Sequence, residues 1–94
     1  MNPPIRIAIV GDFDVTSPSH AATNEALDHA ADFLSFPLEC RWRDTGTLAA
    51  GEAAGALTRF HGIWLAPGSP YRSMDGALNA ARLARERGVP FIGT

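Results

Sequence analysis

Apolar residues fall along this chain in two alternating rhythms, short dense runs and longer stretches at helical spacing. "IRIAIVGDF" holds a nearly continuous apolar run, Ile5 to Val10, closed by Gly11. An apolar run of this kind predicts a strand buried on both faces, as in a parallel sheet. "TSPSHAATNEALDHAADFL" then predicts a helix, with Ser17 as N-cap and Pro18 at the first helical position, where a missing N–H costs nothing. Its expected buried stripe is Ala22, Ala26, Ala30 and Phe33, flanked by Leu27 and Leu34. Pro37 restarts the chain into "LECRWRD", where Leu38, Cys40 and Trp42 alternate with Glu39, Arg41 and Arg43. That period of two predicts a strand with one wetter face, towards a sheet edge.

The Ala-rich stretch from Thr47 to Phe60 predicts a short helix on Leu48, Ala53, Leu57 and Phe60, weakened by Gly51 and Gly55. Ile63 to Ala66 forms a third apolar strand ending in a Pro-Gly turn. Ser73 caps a last helix through "MDGALNAARLARER", with Asp75 at its positive end and Arg82, Arg85 and Arg87 towards its negative end. Gly88 and Pro90 stop it, and "VPFIG" follows as a fourth strand.

The order βαβαβαβ implies an α/β fold, a flavodoxin-like doubly wound parallel sheet with right-handed crossovers. Ligands of such sheets bind outside the carboxyl ends of the strands, here "GDFD", "RDTG", "APGSPY" and the terminus. The 94 residues suffice for one small domain, and 46% hydrophobic with 19% charged residues is ordinary for a globular chain. A net charge of -2 argues against a nucleic-acid partner, which would demand a basic face. The single cysteine cannot form an internal disulfide, and no signal peptide or membrane span is written in the chain, so the expected compartment is the cytoplasm.

Several residues invite a chemical role. Asp12 and Asp14 in "GDFD" can be read as Mg²⁺ ligands or as a polar turn ahead of a helix, the second being the commoner use, and no metal site is expected. Cys40 lies within a strand without a neighbouring base and reads as a small hydrophobe rather than a nucleophile. His20, His29 and His61 lack metal-ligand spacing and read as surface or cap residues. In "APGSPYRSMDG" the backbone N–H groups of Gly68 and Ser69 stand at the active edge of the sheet. They fit either half of an oxyanion hole or an ordinary strand-to-helix turn.

The whole chain resembles the first half of the glutamine amidotransferase domain of CTP synthase, a class I, triad-type amidotransferase. The family's "IAIVGKY" strand and "EAL.HAG" helix match "IAIVGDF" and "NEALDHA", and its Trp-x-Asp strand end matches "CRWRD", with Asp44 in place. Its "G.LVPGGFG.RG.EGK" resembles "GIWLAPGSPYRSMDG", and its "A..YARE..IPFLGICLGMQ" resembles "AARLARERGVPFIGT". The resemblance implies that residues 1–94 are the N-terminal half of such a domain, truncated after about four strands, with glutamine as the small-molecule substrate of the complete form. It implies ammonia supply for CTP synthesis, no cofactor, no nucleic-acid or membrane partner, and leaves homo-oligomers open.

The resemblance further implies that the nucleophile, a Cys at a strand-to-helix elbow, would come immediately after Thr94, with the His and Glu of the triad much later. None of the triad is then present, and the 94 residues alone are expected to be inactive. Half of the oxyanion hole carries over, with Ser69 in place of the family's second glycine, next to Gly68. Pro70 and Tyr71 depart from the Phe-Gly that follows in the family. In a stand-alone family similar to this region the nucleophile can be selenocysteine, so a UGA codon after Thr94 is one expected reason for the end. A decayed gene and a genuine small module that binds a nucleotide or a partner are the others, the last being a non-catalytic flavodoxin-like reading of a different class.

Overall fold

The computed structural model describes residues 4–35, 37–48, 55, 57–66 and 71–93. Four parallel strands, β1 (Ile5–Val10), β2 (Leu38–Arg43), β3 (Gly62–Leu65) and β4 (Phe91–Gly93), form one sheet in the order β2-β1-β3-β4. The register pairs Ile7 with Cys40 and Gly62, and Ile63 with Phe91. Both the parallel α/β class and the edge position of β2 agree with the sequence pattern.

Helix α1 (Pro18–Leu34) covers one face and α2 (Met74–Arg87) the other. Side chains alternate across a strand, so Ala8 and Val10 join Leu48, Leu57, Ile63, Ala80 and Ala84 in the core under α2. Ile9, Leu27 and Ala66 form the core on the other face, with Ile7, Leu38, Cys40, Trp42 and Trp64 packed around them.

The caps follow the sequence. Ser17 Oγ accepts from His20 N–H and Ser73 Oγ from Gly76 N–H, each satisfying a donor that the first helical turn leaves open. Gly88 ends α2 at φ 68°, the left-handed conformation that favours glycine, and Arg85 and Arg87 occupy the last turn. Ser35 takes the same conformation at the end of α1 and donates its N–H to the carbonyls of Ala31 and Asp32.

Two expectations change. The buried face of α1 is His20, Thr23 and Leu27, whereas Ala22 and Ala26 are exposed, and Phe33 is 88% and Leu34 63% exposed. The apolar stripe was placed one step round the helix. The sheet selects the face that meets Trp42, and the end of the helix overshoots the strands it covers. In the Thr47–Phe60 region the described part begins with a 3-10 turn (Thr45–Leu48), earlier than the expected helix. Gly55 and Leu57 are helical, and residues 49–54 and 56, with Gly51 and Ala53, lie outside the described residues.

Candidate functional site

The carboxyl edge of the sheet is where β1, β2 and β3 release their chains, and one side chain gathers the three. Asp12, two residues beyond β1, accepts hydrogen bonds from Thr45 N–H at 3.0 Å, from Thr45 Oγ1 at 2.8 Å and from Arg72 N–H at 2.9 Å. Thr45 is fully buried, and its hydroxyl, having donated to Asp12, accepts from Ser73 N–H at 2.9 Å. Ser73 in turn caps α2. A carboxylate at the end of β1 thereby fixes the exit of β2 and the entry to α2.

Partial burial pulls the Asp12 pKa up, but the hydrogen bonds from Arg72 and Thr45 outweigh it and hold the carboxyl below its usual value. Asp14 points elsewhere. Its Oδ1 accepts from the hydroxyl and the N–H of Thr16 at 2.6 and 2.9 Å, which hold its pKa low as well. The two carboxylates therefore have separate partners. No group of three or more His, Cys, Asp or Glu able to hold a metal ion occurs among the described residues.

The loop after β3 is tied at both described ends. Tyr71 donates its hydroxyl to the Ala66 carbonyl at 2.7 Å, and the next residue, Arg72, donates its N–H to Asp12. The Tyr71 pKa is raised by burial and then by the charge of Asp12, so the phenol stays protonated as this donor requires. Gly68 and Ser69, the expected oxyanion donors, lie outside the described residues, as do Pro67 and Pro70. On the described flanks of that segment the tying residues are Asp12, Tyr71 and Arg72. Tyr71 and Asp12 were visible in the sequence, one as a departure from the family pattern and the other as a turn residue. Their shared task was not visible, because Asp12 and Arg72 are 60 positions apart.

Of the two readings of His20, surface or cap, the second describes it: it lies buried in the first turn of α1, with its Nδ1 accepting the Asp14 N–H at 3.0 Å and its ring 4.8 Å from Trp42 and 6.0 Å from Phe13. Trp42 Nε1 donates to Asn24 Oδ1 at 2.9 Å. This cluster clamps the "GDFD" loop onto the first turns of α1. His29 and His61 are exposed, as read, and His61 Nδ1 accepts the Arg6 N–H. Cys40 is half-buried in the interior of β2, and burial followed by the charge of Asp28 pushes its thiol pKa up, the opposite of an activated nucleophile. Asp44 is exposed beyond β2, and its carbonyl accepts from the Thr47 N–H and hydroxyl.

This parallel α/β architecture matches the fold of a glutaminase domain. The glutaminase domain of Trypanosoma brucei CTPS with bound acivicin superposes with a TM-score of 0.83 at 27% identity, over 95% of this chain and 35% of that one. In sequence, the relatives are CTP synthases. That of Campylobacter jejuni subsp. doylei is 34% identical over 89 residues, 95% of this chain and 16% of the relative. That of a Cyanothece species is 34% identical over 91 residues, 97% of this chain and 17% of the relative. No protein-family model matches the chain. The chain spans about one sixth of the length of these relatives and corresponds to a glutamine amidotransferase-like segment of them.

Proposed function

We propose that this chain forms the glutamine-holding side of an amidotransferase site, with the Gly68–Ser69 backbone as oxyanion donor and the nucleophile following β4. The observation that carries the reading is the match to a glutaminase domain over 95% of the chain, in sequence order and in fold. The frame built from Asp12, Thr45, Arg72 and Tyr71 supports it. A backbone donor helps a tetrahedral intermediate only if it is held in place before the reaction, and both flanks of the loop are tied.

In this reading glutamine is the ligand, as the acivicin bound to the Trypanosoma domain suggests, and the released ammonia serves CTP formation as in the CTP synthases. Residues 1–94 are then the N-terminal half of the domain. Cys40 is not the nucleophile, because it sits in a strand interior with a raised thiol pKa. The match favours this reading over a flavodoxin-like module of unrelated function.

Titration of the isotope-labelled chain with L-glutamine tests it by NMR. Millimolar L-glutamine is expected to shift the amides of Gly68, Ser69, Tyr71 and Arg72, with D-glutamine far less effective. Shifts absent from that loop, or equal for both enantiomers, would sink the proposal. Ammonia release from glutamine by the purified 94 residues is expected to stay at the buffer level, and clear hydrolysis would overturn the exclusion of Cys40.

A further inference from the structure

In a parallel sheet both faces of a strand are ordinarily covered by helices. On the face that α2 covers, β2 nevertheless carries only charged side chains. There the register sets Glu39 beside Arg6, Arg41 beside Ala8 and Arg43 beside Val10. Together with Arg59 and Phe60 these charged residues line a cavity of about 540 Å³, within the size range of small-molecule sites. Among the described residues four arginines meet one carboxylate in it, and they are half of the eight basic side chains of a chain whose net charge is -2.

The single carboxylate is already engaged. Glu39 lies 3.2 Å from Arg41 and 3.7 Å from Arg6. Arg43 sits over the Phe60 ring at 5.3 Å, and neither it nor Arg59 has a carboxylate partner among the described residues. Arginine forks match phosphate oxygens in pairs and stay charged at every physiological pH. Like charges converging on one cavity repel each other until a counter-charge enters.

We infer that this cavity on the α2-side face of β2, lined by Arg6, Arg41, Arg43 and Arg59, is a binding site for a compact phosphate-rich small anion. The inference does not depend on the glutaminase reading, since the cavity is lined from β1, β2, Gly55, Arg59 and Phe60 rather than from the Gly68–Ser69 loop. The competing use of such a row is defensive, because cations on an edge strand discourage pairing with another sheet.

Calorimetric titration of the 94-residue chain with tripolyphosphate decides between them. Saturable binding is expected, weakened at least about tenfold in the double variant Arg41→Ala/Arg43→Ala, through loss of two charge-assisted contacts. The same two-charge deletion on α2, Arg82→Ala/Arg85→Ala, is expected to change affinity less than about twofold, and Glu39→Gln to tighten binding by freeing Arg6 and Arg41. Fructose 1,6-bisphosphate distinguishes a phosphorylated metabolite from the free ion, according to which binds more tightly. NMR shifts at the Gly55 and Phe60 amides on adding tripolyphosphate to the unmodified chain give a readout that survives any folding defect in the variants. No binding, equal loss from both arginine pairs, or binding of an acidic peptide without tripolyphosphate would overturn the inference.

Discussion

The two helices start with the same chemistry and end in different relations to the sheet. Each begins at a serine whose hydroxyl accepts from the N–H three residues on. Beyond the cap, α2 turns Gly76, Ala77, Ala80 and Ala84 inward, so its backbone lies close to Thr45 and the strands. Helix α1 turns His20, Thr23 and Leu27 inward. Its two buried polar side chains need partners, and they find them in the Asp14 N–H and the Ser19 carbonyl. Small side chains let a helix approach its sheet, whereas α1 meets β2 through the His20 ring on Trp42 and the Trp42–Asn24 hydrogen bond. The first helix is docked by a few specific contacts near its N-terminus, the second by close packing along most of its length.

The sharpest way to break this contrast is at Gly76. A methyl group there would overlap the Thr45 carbonyl, which is backbone of a residue whose N–H and hydroxyl are both bound to Asp12. Gly76→Ala is expected to cost at least about 3 kcal/mol despite alanine's better helix propensity, read from urea unfolding. A neutral result would show that α2 can shift on the sheet. On α1 the corresponding loss is smaller and confined to one position. Leu27→Ala is expected to cost about 2–3 kcal/mol in the same assay. Phe33→Ser, on an exposed side chain, should stay within about 0.5 kcal/mol. Equal costs at both would mean that the C-terminal half of α1 is docked as firmly as its start.

The smallest effect is one of pH. The folded pKa of Asp12 lies below its unfolded value, so the stabilisation from its ionised form is complete above about pH 4 and is lost as pH falls through the folded pKa. Asp12→Asn is therefore expected to be less stable than the parent at pH 7, with the difference shrinking on acidification below about pH 4. Thermal melts across pH 2–7, an interval chosen on either side of the ordinary aspartate value, would show it. A difference that stays constant down to pH 2 would mean that the charge of Asp12 contributes nothing and that its geometry alone matters.

How much of this was legible depends on the reach of each interaction. Both serine caps and the glycine stop of α2 rest on contacts within a few residues, and the bounds of β1 and β2 follow the apolar and polar pattern written in the chain. The face of α1 was misjudged because alanines count equally on any side of a helix. Only the sheet distinguishes the side that meets Trp42 from the side that meets water. The burial of His20 is decided in the same way, since the ring it packs on, Trp42, comes from β2.

By itself, the sequence determined the α/β class, the order of the strands along the chain and the likeness to glutamine amidotransferases, because local patterning and turn chemistry carry those without any knowledge of neighbours. Tertiary structure alone decided that Asp12 joins Thr45 and Arg72 around the loop after β3, and that Arg6, Arg41, Arg43 and Arg59 share one cavity. Parallel pairing causes this. It brings the corresponding ends of strands together across intervals of 30 to 60 residues, a distance that no short-range pattern in the chain can span.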